Sequence, residues 1–237
     1  PISALKGDNV VRPSEHMTWY NGGTLLHHLE TIPISQDHDL VHQRFPVQYV
    51  IRPETDEFHD YRGYAGRVAG GFFHPGDKVV VLPSGIESEV ISVDTLTGPL
   101  SEAHPPMSVT LTLRDDVDLS RGDMIAGAGD APSESCDIEV MVCWMNQKPL
   151  QLNGKYTLKH TTKETRCIIR EIDYVLNIST LENVVENKNV RMNDIARIRL
   201  KTTKPLFFDS YTTNRITGSL ILIDEATNET VAAGMIV

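Results

Sequence analysis

From residue 34 to the end, the chain is a regular succession of short β-branched runs cut by turn residues, and this rhythm constrains the fold more than any other feature. Runs at 48–51, 66–69, 78–82, 89–93, 107–113, 138–144, 155–159, 166–172, 195–200, 218–224 and 230–237 are each too short for a helix and rich in Val, Ile and Thr. Between them His74-Pro75-Gly76-Asp77, Pro83-Ser84-Gly85, Ser120-Arg121-Gly122-Asp123 and Asn153-Gly154 have the chemistry of tight turns. Strands so closely spaced, with no crossover helices between them, must pair antiparallel. Their number predicts an all-β chain of two closed barrels of roughly six strands each.

One helix precedes them. In Thr24-Leu25-Leu26-His27-His28-Leu29-Glu30-Thr31-Ile32 the residues Leu25, Leu26, Leu29 and Ile32 share one helical face, and Pro33 stops the pattern. The small-residue run Gly127-Ala128-Gly129-Asp130-Ala131-Pro132-Ser133 has little to bury and sets the expected boundary between the barrels. The expected organisation is therefore 1–33 as a loop and helix, 34–131 as one barrel and 132–237 as a second.

With 32 acidic against 22 basic residues, the formal net charge is −10. Such a chain repels phosphate backbones unless its cations gather on one face, and no cluster of them stands out, so a nucleic-acid partner is not expected. No segment has the length of apolar sequence that spans a bilayer, and no membrane partner is expected. Cys136, Cys143 and Cys167 make no C-x-x-C pair and leave an odd thiol, which fits a reducing cytoplasm and small core residues. His38 and His42 have i, i+4 spacing, but no H-E-x-x-H motif and no nearby cysteine accompanies them, so surface histidines are expected and no metal site.

Catalytic nucleotide motifs are wanting. No G-x-x-x-x-G-K-[ST] loop and no N-K-x-D occur; Asn187-Lys188-Asn189-Val190 lacks the carboxylate that pairs with guanine, and Asp60-Tyr61-Arg62-Gly63 matches D-x-x-G with no phosphate loop before it. Arg121-Gly122-Asp123 is read as a turn, and Asp115, Asp116 and Asp118 as a solvated loop, because the twelve-residue calcium loop with its closing Glu is absent. No catalytic residue is assigned.

The run Ile2-Ser3-Ala4-Leu5-Lys6-Gly7-Asp8-Asn9-Val10 resembles the last guanine-contacting loop of translation-factor-type GTPases. Downstream, Asp60-Tyr61-Arg62-Gly63-Tyr64-Ala65-Gly66, Val80-Val81-Leu82-Pro83-Ser84-Gly85, Ser120-Arg121-Gly122-Asp123, Val142-Cys143-Trp144-Met145, Asn214-Arg215-Ile216-Thr217-Gly218 and Ile221-Leu222-Ile223-Asp224 resemble the GTPase subunit of bacterial ATP sulfurylase, the family of sulfate adenylyltransferase subunit 1. Departures are small: Ala232 stands where the family's V-G-A-G-M usually has glycine, and Tyr61 where phenylalanine is common. The resemblance implies an elongation-factor-Tu-like build. This chain would supply the C-terminal part, consisting of a remnant of the GTP-binding domain and both barrels.

It further implies a cytoplasmic heterodimer with a catalytic subunit that joins ATP and sulfate into adenosine 5'-phosphosulfate, coupled to GTP hydrolysis. GTP and magnesium would belong to the parent protein, with none bound to this stretch alone. At the positions matching Ser3, Ala4 and Leu5, a backbone N–H would donate to the guanine O6 and Ser3 would brace the loop. An elongation-factor fragment that grips aminoacyl-tRNA would share the architecture. The net acidity and Arg62-Gly63-Tyr64-Ala65-Gly66, where tRNA-carrying factors tend to read G-x-G-T, argue against it. A stand-alone barrel module is the third reading, disfavoured by the GTPase-type loop joined to an amphipathic helix.

Overall fold

The computed structural model describes residues 1–32, 38–53, 61–186 and 188–237. Pro33, the expected helix stop, the expected domain start at residue 34, Asp60 of the D-x-x-G match and Asn187 lie outside the described residues. The chain forms two compact units, Pro1–Asp37 and His38–Val237.

In the first unit, α1 (Leu25–Thr31) ends one residue short of its apolar stripe, with Ile32 as its C-cap. Thr24 caps it, its hydroxyl accepting from the His27 N–H at 3.3 Å, as Thr does when it satisfies an otherwise orphaned donor. The Leu25 and Leu26 N–H groups donate to Asn9 O and Val10 O, each at 2.9 Å, so the loop before the helix completes its first turn. Leu25, Leu26, Leu29 and Ile32 are all exposed.

The second unit contains two closed antiparallel barrels. The first is built from β1 (Arg44–Ile51), β2 (Gly63–Arg67), β3 (Lys78–Leu82), β4 (Ile86–Thr95), β5 (Gly98–Leu100), β6 (Ser108–Leu113) and β7 (Met124–Gly127). Six strands run β3-β7-β1-β2-β6-β4, and β4 pairs back onto β3 to close the ring, with β5 added outside on β4. The second comprises β8 (Ser133–Trp144), β9 (Lys155–His160), β10 (Lys163–Leu176), β11 (Asn183–Val184), β12 (Ile195–Phe208), β13 (Ser219–Ile223) and β14 (Thr230–Ile236). Its ring is β10-β12-β8-β14-β13-β9, closed by β9 on β10, with β11 appended to β10. Closure leaves neither barrel a bare edge within the ring.

Alternation explains the cores. Ile138, Val140, Val142 and Trp144 of β8 point inward while the residues between them face out, and the same period of two packs Val79 and Val81 of β3 against Phe45, Phe73 and Leu111. The same alternation corrects two expectations. Cys143 is exposed, because it falls on the outward register of β8; Cys167, inward on β10, is buried, and burial pushes its thiol up to about 12. His160, on the inward register of β9, is a core residue rather than a surface one, at 2% exposure.

Candidate nucleotide loop and the seam between the barrels

The sequence-identified loop is a compact turn. The Ser3 N–H donates to Asp8 O at 3.0 Å and the Gly7 N–H to Ser3 O at 2.8 Å, which closes a turn over residues 4–7 with Gly7 at φ 77°, a backbone that glycine adopts without strain. The Ser3 hydroxyl accepts from the Lys6 N–H at 3.3 Å. Asp8 and Asn9 anchor the far side: Ser14 donates its hydroxyl to Asp8 Oδ1 at 2.8 Å and its N–H to Asn9 Oδ1 at 2.7 Å, and Asn9 is 4% exposed.

Ala4 and Leu5 sit at the crown, with Leu5 95% exposed, and their N–H groups take no partner among the described residues. Two free backbone N–H donors on a braced turn can meet an acceptor such as a carbonyl oxygen and would repel an amino donor. Among the described residues, no three His, Cys, Asp or Glu side chains are grouped closely enough to hold a metal ion. No described helix is long and apolar enough to cross a membrane.

A second constellation, invisible in the sequence, joins the two barrels. Arg44 of β1 has a side chain 2% exposed, and its Nε and Nη2 donate to the two carboxylate oxygens of Asp209, each at 2.9 Å. Its Nη1 donates to Gln43 O at 2.9 Å and to Asp130 O at 2.6 Å. A buried guanidinium is tolerable only when its donors are so used, and the two-pronged geometry is the strong form of the pair. Asp209 Oδ2 also accepts the Thr217 hydroxyl at 2.7 Å, and the Thr217 carbonyl lies 2.6 Å from His160 Nε2. Burial holds the His160 pKa below the ordinary histidine value, and the Thr217 carbonyl opposes that shift.

The quoted Asn214-Arg215-Ile216-Thr217-Gly218 motif has its physical reason here. Asn214 Oδ1 accepts from the Ile216 and Thr217 N–H groups at 2.9 and 3.0 Å, folding the segment on itself, which leaves Nδ2 to donate across to Ala69 O at 3.0 Å and Asp39 Oδ2 at 3.4 Å. Burial works against the Asp39 charge, but N–H donors from Val41 and His42 and the His42 ring hold its pKa below the usual carboxylate value.

An apolar patch seals the same joint. Phe207 of β12 packs with Leu82, Met124 and Ala126 of the first barrel. Lys163 lies beside it, its Nζ 5.3 Å from the Phe207 ring centre and donating to Pro205 O at 2.9 Å. Gly122, at φ 97°, brings the Arg121-Gly122-Asp123 turn so close that a Cβ there would sit 3.1 Å from Lys163 Cα. That turn is therefore part of the joint as well as a strand connection.

Comparison with known proteins agrees with this picture. Residues 137–237 match the GTP-eEF1A C-terminal domain-like family model. The bifunctional enzyme CysN/CysC of Mycobacterium tuberculosis is 48% identical over all of this chain, which covers 39% of that protein, and sulfate adenylyltransferase subunit 1 of Bacteroides thetaiotaomicron is 44% identical over all of the chain and 50% of its own length. Among solved structures, sup35 complexed with GMPPNP superposes with a TM-score of 0.74 at 17% identity, over 100% of this chain and 57% of that one. The elongation factor SelB of Methanococcus maripaludis gives 0.66 at 15%, over 90% and 46%, so the fold is that of the barrels in such factors. The chain spans half or less of the curated relatives it matches, and along its whole length it is similar to the C-terminal part of proteins named sulfate adenylyltransferase subunit 1 or CysN/CysC.

Proposed function

We propose that the chain is the two-barrel part of a GTPase subunit of sulfate adenylyltransferase, with residues 1–33, 34–131 and 132–237 as its three segments. The parent protein works in the cytoplasm with a separate catalytic subunit that makes adenosine 5'-phosphosulfate from ATP and sulfate. The observation that carries this reading is 42–48% identity to such enzymes over the entire chain. GTP hydrolysis, when the nucleotide is bound, supplies free energy for the uphill phosphate-sulfate anhydride.

This chain's own contribution is binding. Ala4 and Leu5 present their N–H groups to the guanine O6, and Ser3 holds the turn that presents them. The barrels, joined by the buried seam, form the body on which the catalytic subunit docks. Coupling requires that this body be held differently with GTP and with GDP, since a nucleotide that binds two states equally shifts nothing. Magnesium and the phosphate-handling groups belong to the remainder of the parent protein.

Titration calorimetry of the chain with the cognate catalytic subunit tests the reading. A saturable one-to-one complex is expected, with no GTP turnover above a buffer blank from the chain alone. Tight, salt-sensitive binding of tRNA, with no complex formed, would overturn it in favour of an elongation factor.

A further inference from the structure

Among the described residues of the first unit, Thr24 and Asn9 are the buried polar side chains. Thr24 caps α1, whereas Asn9 lies just beyond the candidate nucleotide turn, with its backbone at φ 55°, a left-handed conformation that Asn enters more readily than most residues. The two arms of the turn are bridged at Ser3 and Asp8. The Asn9 side chain supplies a further rung below that bridge, its Nδ2 donating to Pro1 O at 3.2 Å across the arms.

The rest of the residue is engaged as well. Oδ1 accepts from the Ser14 N–H at 2.7 Å, Nδ2 also contacts Met17 Sδ at 3.2 Å, and the backbone carbonyl accepts from the Leu25 N–H of α1 at 2.9 Å. One residue therefore ties the incoming arm, the segment that follows the turn and the start of α1 to a single point. Ala4 and Leu5 have no side-chain polar group of their own, so the directions of their N–H groups are set by the arms below them. Aspartate at position 9 would keep the acceptor for Ser14 and lose the donor to Pro1 O. Alanine would lose both and be strained at a positive φ.

We infer that Asn9 is a positioning residue for guanine recognition, clamping the arms of the turn so that the Ala4 and Leu5 N–H groups stay aimed at the O6 acceptor; this rests on the proposed function above. It acts through the turn and not on the nucleotide. A hydrogen bond weakens steeply once its donor swings out of line, and a donor already held in place gives up little freedom when the ligand arrives. Loosening the arms should therefore cost affinity at the O6 contact selectively.

The test compares GDP with 6-thio-GDP, which keeps the guanine N1–H and puts a weakly accepting sulfur in place of O6, by titrating the full-length parent protein under reducing conditions. The wild type should prefer GDP by about threefold to tenfold, the worth of one hydrogen bond. Asn9→Asp and Asn9→Ala should weaken GDP by a similar factor while leaving 6-thio-GDP nearly unchanged, so that the preference falls below about twofold. Thr31→Ala, which removes a hydroxyl bonded to His27 O at the far end of α1, should alter neither affinity. Thermal melts check the fold, and the near-isosteric Asn9→Asp decides if Asn9→Ala does not fold. Equal weakening of both nucleotides, or no weakening, in the Asn9 variants would overturn the inference and leave the proposed function standing. Equal affinities in the wild type would remove the O6 contact, and this inference with it. No binding of guanine nucleotide by the wild type would overturn the proposed function itself.

Discussion

Arg44 exchanges the water around its guanidinium for Asp209, Asp130 O and Gln43 O, and that exchange makes it the residue on which the seam depends most. Truncation to Ala leaves the Asp209 carboxylate, 10% exposed, with only the Thr217 hydroxyl. Arg44→Ala should destabilise the chain by about 3–5 kcal/mol, the cost of stranding a buried charge, measured by urea unfolding. Replacing both partners by apolar residues, Arg44→Met with Asp209→Leu, should recover much of the loss. A loss under about 1 kcal/mol for the single variant would mean that water reaches the seam.

His160 ties stability to pH. Burial lowers its pKa in the folded chain, so the unfolded chain takes up the proton first as pH falls. Its contribution is fully present above the unfolded value of about 6.5 and is lost as pH drops below it toward the lower folded value. Urea midpoints should fall from pH 7 to pH 5, and His160→Gln, which keeps a side-chain partner for Thr217 O, should flatten that slope. An equal slope in the variant would show that other groups carry the acid sensitivity.

Among the elements, strands were the most legible part of the sequence. The run 78–82 is β3 to the residue, and the runs at 138–144, 166–172 and 195–200 are the C-terminal part of β8, the middle of β10 and the N-terminal part of β12, which extend further because pairing continues past the clear alternation. β5, β7 and β11 escaped notice. β7 has four residues, all buried, so it has no period of two to read, and it exists because β1 and β3 lie on either side of it.

The helix shows the opposite limit, where pattern exceeds structure. Its apolar stripe spans 25–32, yet α1 has seven residues and no buried side chain, held by the Thr24 cap and the carbonyls of Asn9 and Val10. Helices below about 12–15 residues are marginal in water without packing. Amide exchange should therefore be fast at His28, Leu29 and Glu30 and slow at Val79 and Val81 of β3. Equal protection at both would show that the helix is packed as firmly as a barrel core.

At the scale of the whole molecule, the architecture of two closed barrels follows from strand spacing and turn chemistry, which are local. The joint does not, because Arg44 and Asp209 are 165 residues apart and nothing in either neighbourhood announces the other. The candidate nucleotide loop falls between these cases. Its residues and the bracing role of Ser3 follow from the resemblance, whereas the Ala4 and Leu5 N–H groups left without a partner among the described residues are set by the turn's three-dimensional closure.

The buried ion pair, the Asn214 bridge and the Phe207 patch together bind the barrels into one body. Scanning calorimetry of the whole chain tests this most directly. The two barrels should melt in a single transition whose calorimetric and van't Hoff enthalpies agree, and Arg44→Ala should separate it into two. Two independent transitions in the wild-type chain, or a single one that Arg44→Ala leaves unsplit and unshifted, would contradict it.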